Sequence, residues 1–328
     1  MIPPFTNPLV SIVVPVFNAK AYLDACMGSI CSQDCRDIEV IVVNDGSTDE
    51  SSELLAQWAA RDARVIILTH PGNTNRGVAA SRNCGLRRAR GQYLWFVDAD
   101  DRMRPGAISH LLSIARNRDA DVVAFNGEVN GDGVGLRLVY RQPKPAHDLT
   151  GEAWLTLSCQ QKECPHLVWL RFYRRAYLDA CGLQFREGIV HEDIAWITEG
   201  DLRARRLVYS DAVLYQYLRN PQSITHDESD ASLMRRAESL FDVVDQLREL
   251  NARVPMSAQT RTLLRAELVG QGLQVARLRE HITDAAMCKR IDARLIRTNF
   301  WRALWKDATR FTRKRQLAQV MLREFLRR

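Results

Sequence analysis

Residues 93–101 read YLWFVDADD: five apolar or aromatic residues, then three aspartates, Asp98, Asp100 and Asp101, with only Ala99 among them. Carboxylates crowded this closely repel one another, so they either splay into water or share a positive charge. Hard divalent cations such as magnesium and manganese take oxygen ligands and commonly bridge carboxylates to a diphosphate. Two further polar groups follow apolar runs in the same way. Phe17 and Asn18 come after VSIVVPV, and Asp45 and Ser47 after IEVIVVN. An aromatic able to stack on a base, a carboxylate able to accept from a base or ribose, and an aspartate cluster suited to a divalent cation together ask for a nucleoside diphosphate compound.

The apolar runs are what must position these groups. VSIVVPV, IEVIVVN, RVIILTH and YLWFV read as strands, the last of them buried, and AYLDACMGSICSQ, a segment starting near Asp49, and GVAASRNCGLRRA read as the helices between them. Alternation of this kind predicts an α/β fold, a Rossmann-like, mostly parallel sheet flanked by helices, with ligands beyond the carboxyl ends of the strands. The first strand leads into PVFNAK, so the glycine-rich turn of a dinucleotide site is missing, and no G-x-x-x-x-G-K-[ST] loop occurs. Hydride transfer and P-loop hydrolysis lose their signatures. After DVVAFNGEV, the Gly- and Pro-rich NGDGVGLRLVYRQPKPAH reads as a hairpin or loop. Residues 150–225 mix helices and short strands, and from Ser232 the pattern is helical and polar-basic.

Five segments in order, VSIVVPVFNAKAYLDACMGSICSQ, EVIVVNDGSTDES, GVAASRNCGL, GQYLWFVDADD and FREGIVHEDIAW, resemble the successive motifs of the family 2 inverting glycosyltransferases, from about Val10 to Thr225. The resemblance implies a glycosyltransferase A fold, a nucleotide-sugar donor, UDP-linked in the first instance, and a bound manganese or magnesium ion. It puts Pro15 and Phe17 against the base, Asp45 on the uracil or ribose, and Arg82 near Asp45 and the nucleotide. Asp98 and Asp100 match the D-x-D pair, the first near the ribose and the second on the metal. Glu192 and Asp193 match the family's ED element, Asp193 as catalytic base and Glu192 as an orienting or binding residue. QYLRNPQSITH resembles a later segment that closes over the diphosphate, which brings in Arg219, and His226 as a metal ligand. Asn44 stands where many relatives carry a second aspartate. The implied acceptor is a saccharide or lipid-linked saccharide of bacterial surface-polysaccharide assembly. Singly, each residue has a bland reading: Phe17 a core aromatic, Asp45 a turn-former, Arg82 a solvated helix residue, Glu192 and Asp193 carboxylates favoured at a helix start. The order of five motifs favours the functional one.

At 328 residues and 46% hydrophobic composition the chain has material for about two domains. The expected division is residues 1–130 for donor binding, 131–228 for the acceptor side and base of the same domain, and 229–328 as a helical basic extension. No run approaches the roughly 18 apolar residues of a membrane span, and MIPPFTNPLVS has no basic region ahead of an apolar core, so a cytoplasmic protein is expected. The eight cysteines are scattered and read as thiols. Neither Cys26, Cys31 and Cys35 nor Cys159, Cys164 and His166 has the paired spacing of a structural zinc site.

The net charge of +7 is uneven: residues 294–328 hold eleven Lys and Arg against Asp307 and Glu324, a local +9, which leaves −2 for the rest. In that segment Phe300, Trp301, Leu304, Trp305, Ala308 and Phe311, continued by Leu317, Val320, Met321 and Phe325, recur at helical spacing among the cations. Such a helix can lie in the interface of an anionic membrane or pack on its own protein. A membrane-surface role is expected, on the inner face of the plasma membrane; nucleic acid is not, for want of a zinc or helix-turn-helix signature. An idle nucleotide-sugar-binding scaffold would share the fold, and intact Asp98, Asp100 and Asp193 argue against it.

Overall fold

β-branched residues favour a pleated, buried surface, and the four apolar runs form β1 (Val10–Val16), β2 (Ile38–Asn44), β3 (Val65–Thr69) and β4 (Tyr93–Phe96). The computed structural model describes residues 8–131, 134–220 and 227–326. The strands run parallel in the order β3-β2-β1-β4, and every residue of β2 and β4 is buried, as continuous apolar strands covered on both faces require. Helices α1 (Lys20–Cys31), α2 (Ser51–Arg61) and α3 (Val78–Arg88) make the crossovers. A Cβ on Gly85 would lie 2.2 Å from a Val13 methyl, so only glycine lets α3 approach β1 this closely.

Chain order reverses between β1 and β4, the switch point at which open α/β sheets place their crevice. Pro15 marks the same point. Val13 accepts from the Val97 N–H on the β4 side, and Val16 from the Asp45 N–H on the β2 side. Strand alternation therefore turns Pro15 towards β4, beyond the last β1–β4 pair, Val13 with Phe96, where its missing N–H removes no ladder bond.

Beyond β4 the sheet becomes mixed. β5 (Arg102–Met103) and helix α4 (Ala107–Asn117) follow, and β6 (Val122–Gly131) and β7 (Val134–Leu138) are the hairpin read from the Gly-rich segment. β8 (Arg171–Arg174) is antiparallel to β4 and β6; β9 (Leu207–Leu218) is parallel to β6 and antiparallel to β5. Helices α5 (Gly151–Gln161), α6 (Arg175–Cys181) and α7 (Glu192–Leu202) connect them. Trp95, Phe125, Phe172 and Tyr215 fill the core edge to face or tilted, with ring centroids 5.1–6.4 Å from Trp95. Within it Arg171 holds Asp201 at 2.6 Å and donates to the Tyr140 hydroxyl at 2.8 Å, while the Trp154 indole donates to Asp201 at 3.0 Å. All eight cysteines are free thiols.

The described chain separates into two units. The sheet unit comprises the described residues up to Trp154 with Glu163–Gly188 and Trp196–Asn220; the helical unit takes Leu155–Lys162, Ile189–Ala195 and the described residues after 226. The helical unit contains α8 (Asp230–Arg253), α9 (Ala258–His281), α10 (Ala285–Arg297), α11 (Phe300–Asp307) and α12 (Phe311–Leu326). Ser229, Ser257 and Asp284 cap the first three by accepting the N–H three residues on. Leu233, Ala237, Leu240, Val244 and Leu247 form a buried seam on α8 at helical spacing.

The apolar stripe of residues 300–325 divides. Phe300, Trp301, Leu304, Ala308 and Leu317 turn into this unit. Phe300 meets Phe241 with ring centroids 4.6 Å apart, and Leu304 fills the space above Gly272, where a Cβ would come within 2.5 Å of it. Those five side chains are thus removed from any lipid, because a partner surface lay within their own unit. Trp305, Phe311 and Met321 remain exposed, and Val320 is half-buried. The reading at Phe325 lies outside the described side chains. Among the described residues no helix is long and apolar enough to cross a membrane.

Candidate active site

Past β4 the chain makes a turn in which the Asp101 N–H donates to the Asp98 carbonyl at 3.1 Å. This turn sends the three carboxylates to three environments. Asp101 is buried; its oxygens accept from the Tyr215 hydroxyl at 2.8 Å and the Leu218 N–H at 2.9 Å, and the same Tyr215 oxygen accepts the Asp98 N–H at 3.0 Å. Asp101 therefore ties the end of β4 to the end of β9. Asp98 pairs with Arg82 of α3 at 2.8 Å, and the buried Arg82 guanidinium lies over the Phe185 ring. Asp100 accepts from the Asn220 amide at 3.1 Å, while the Asn220 carbonyl accepts from the Tyr22 hydroxyl at 3.3 Å.

Burial, and then the charge of Asp98, push the Asp100 carboxyl above the usual carboxylate range. Asp101 is pushed well above it, by burial first and by its two acidic neighbours next. Among the described residues no three metal-ligating side chains are gathered at one point. A site that bridges to a diphosphate needs only one or two carboxylates, since substrate oxygens and water complete the octahedron. Asp98 and Asp100 are the carboxylates that would hold such a cation, which would offset the charge that Asp98 exerts on Asp100.

The neighbouring loops are stitched together. Asn18, at φ +48°, accepts the Thr48 N–H at 2.8 Å and donates its own N–H to Ser47 at 3.1 Å; the Ala19 N–H donates to Ser51 at 3.0 Å. Phe17, just past β1, is 47% exposed beside this ordered backbone, which leaves its ring accessible for stacking. Asp45 is buried, and its oxygens accept the N–H groups of Arg76 and Gly77 at 2.7 and 2.9 Å, with His70 at 3.4 Å. It therefore latches the loop of residues 70–77 over the end of β2. Gly46, at φ +71°, sits where a Cβ would come within 2.8 Å of the backbone at Asn73 and Asn75. Asn44 donates to Ser52 at 2.8 Å and accepts the Ser47 N–H at 3.1 Å, a turn-forming role.

Arg82, expected beside Asp45, is thus engaged with Asp98. Pro15 near the end of β1 with Phe17 just past it, and Asp98 and Asp100 just past β4, lie at the ends of adjoining strands. Glu192 and Asp193 open α7 and belong to the helical unit; Glu192 is buried and Asp193 half-buried, directly after His191 at φ +63°. A non-glycine residue in that region is strained by roughly 1–2 kcal/mol. Arg219 is exposed. His226 lies outside the described residues.

Sequence reasoning missed Asn220, Tyr22 and Tyr215. The Asn-Pro pair at 220–221 was a turn signal at the end of an apolar run, and could have marked Asn220. Nothing local marks Tyr22.

With this geometry in place, the likenesses to known proteins bear on it directly. The family model described as glycosyl transferase family 2 matches residues 11–177, which takes in β1 to β4, the D-x-D turn and Arg82. The uncharacterized glycosyltransferase YibD of Escherichia coli (strain K12) is 33% identical over 223 residues, 67% of this chain and 64% of that protein. The uncharacterized glycosyltransferase EpsJ of Bacillus subtilis (strain 168) is 32% identical over 227 residues, 66% of this chain and 63% of its own. The match thus spans less than two thirds of either relative. Staphylococcus aureus TarS 1–349, solved in complex with UDP-GlcNAc, superposes with a TM-score of 0.62 at 18% identity, over 87% of this chain and 83% of that one. The mannosyltransferase PcManGT from Pyrobaculum calidifontis, in complex with GDP-Man and Mn2+, gives 0.56 at 16%, over 97% and 87%. At such identities the likeness shows the fold, the glycosyltransferase A arrangement, and no more. The family model covers more than half of the chain and spans the whole parallel half of the sheet with the aspartate turn that closes it: this protein is a member of glycosyl transferase family 2.

Proposed function

We propose that the protein is an inverting glycosyltransferase that moves a sugar from a nucleoside-diphosphate sugar, a UDP-sugar first of all, to a hydroxyl of a saccharide or lipid-linked saccharide acceptor. The observation that carries this reading is the pair Asp98 and Asp100, which follows β4 at the switch point of the sheet, beside the strand that ends just before the exposed Phe17. UDP-GlcNAc in TarS and GDP-Man with Mn2+ in PcManGT support the donor class and a divalent cation.

In this reading Phe17 and Pro15 receive the base, Asp45 reads the uracil or ribose, Asp98 lies at the ribose under the hold of Arg82, and Asp100 with Asp98 holds manganese or magnesium. When bound, the cation offsets the charge that builds on the departing diphosphate. Asp193 takes the proton of the acceptor hydroxyl as its oxygen attacks the anomeric carbon, and Glu192 orients it. One displacement turns an α-linked donor into a β-linked product. Residues 1–130 serve the donor, 131–228 the acceptor and base, and 229–328 the helical region, in a cytoplasmic enzyme of surface-polysaccharide assembly.

The test is release of free nucleotide from a panel of UDP- and GDP-sugars with manganese and a saccharide acceptor, followed by the anomeric configuration of the product by NMR. Turnover with inversion, lost on chelation, is the expected result. Donor binding without turnover across the panel would instead make the protein a nucleotide-sugar-binding scaffold.

A further inference from the structure

We propose that the outer face of the last two helices, α11 and α12, is a docking surface for an anionic lipid bilayer. Eight large apolar side chains are exposed among the described residues, and five of them, Ile296, Trp305, Phe311, Met321 and Leu322, fall within one stretch of the helical unit. Scattered exposed apolar residues need no explanation, but their concentration in a single segment does. Phe311 is 81% exposed and Leu322 59%. About three helical turns separate them, which returns them to the same side of α12, whereas Leu317 on the other side is buried in the unit. Phe311 and Leu322 thus face solvent on a side of α12 that also carries Lys314 and Arg315, away from the buried Leu317.

The chemistry of this outward face selects the occupant. Residues 294–328 carry a net +9, and Arg302 and Lys306 on α11, Arg315 on α12 and Arg310 between the two helices are exposed. Lys314 lies over the Trp305 ring at 5.8 Å, an aromatic and cation placed together at the surface. Apolar side chains for the acyl boundary, an indole at headgroup depth and cations for anionic phosphates are together what an interfacial helix presents. A protein partner would need matching acidic and apolar surface, and a nucleic acid would leave the apolar side chains in water. The surface lies on the membrane and does not cross it. This inference goes beyond the catalytic reading and is read out without turnover.

The experiment is flotation of the full chain with vesicles of phosphatidylcholine alone and of phosphatidylcholine with phosphatidylglycerol. Binding to the anionic vesicles only, weakened by salt, is expected. A Phe311→Ser/Leu322→Ser double variant and an Arg310→Glu/Arg315→Glu double variant should each bind at least about tenfold more weakly. All four side chains are exposed, so both variants should keep the parent's thermal transition and nucleotide binding. Failure of the folded full chain to float with anionic vesicles, equal flotation of both variants, or retention by RNA or a second protein in place of vesicles would overturn the proposal.

Discussion

Asp100 shows how one residue can report on the whole site. Its folded-state pKa is raised by burial and by Asp98, so the stability gained by holding its proton is complete below about pH 4 and is lost as pH rises through the raised value. A cation that needs the ionised form gains affinity over that same window. The rise in Tm caused by manganese with UDP should therefore grow as pH rises from about 4 through the raised value, and Asp100→Ala should remove it at every pH while leaving the metal-free transition cooperative. Asn220 fixes the Asp100 carboxylate from the end of β9, with Tyr22 behind it. A hydrogen bond to a charged group contributes about 1.5–3 kcal/mol, so Asn220→Ala should weaken manganese binding in the presence of UDP by roughly tenfold or more, measured by calorimetry. For Asp193, replacement by Asn should lower the catalytic rate by about 10²- to 10⁴-fold with donor affinity nearly unchanged. Equal rates for variant and parent would remove the assignment as base.

Between residue and molecule, the loops at the strand ends behave as one element. Asp45 latches residues 70–77 through the Arg76 and Gly77 N–H groups, and Gly46 gives that loop room to pass. Gly46→Ala puts a methyl against backbone at a φ that L residues avoid; it should cost about 1–3 kcal/mol and weaken UDP binding at the same time, because the loop it displaces shares Asp45. The Arg171–Asp201 pair behaves differently. It is buried in the sheet unit, so Asp201→Ala, which removes the guanidinium's carboxylate partner, should destabilise by about 3–5 kcal/mol in a denaturant titration.

Across the whole molecule, sheet and helices illustrate two ways in which a pattern acquires meaning. Phe300 and Leu304 belong to the same periodic stripe as Phe311, yet they are buried while Phe311 is exposed. Phe300→Ala should cost about 3–5 kcal/mol, whereas Phe311→Ser should stay within about 0.5 kcal/mol, a contrast that thermal melts of the two variants will read directly. The amino-acid sequence by itself determined the parallel strands and their crossovers, since β-branched runs, turn residues and helical periodicity act within a few residues of one another. It also marked the strand-end positions of Phe17, Asp45, Asp98 and Asp100, through the rule that places ligands at those ends. Four things were left to tertiary structure: that Tyr215 and the Leu218 N–H hold Asp101, that Arg82 holds Asp98, that Asn220 links Asp100 to Tyr22, and which half of the basic stripe turns inward. Each depends on a partner beyond the same local element, 16 residues away for Arg82 and Asp98, 114 for Tyr215 and Asp101 and 198 for Asn220 and Tyr22. Whether a carboxylate is buried or an apolar seam is covered is decided by those partners, and no local propensity carries that information.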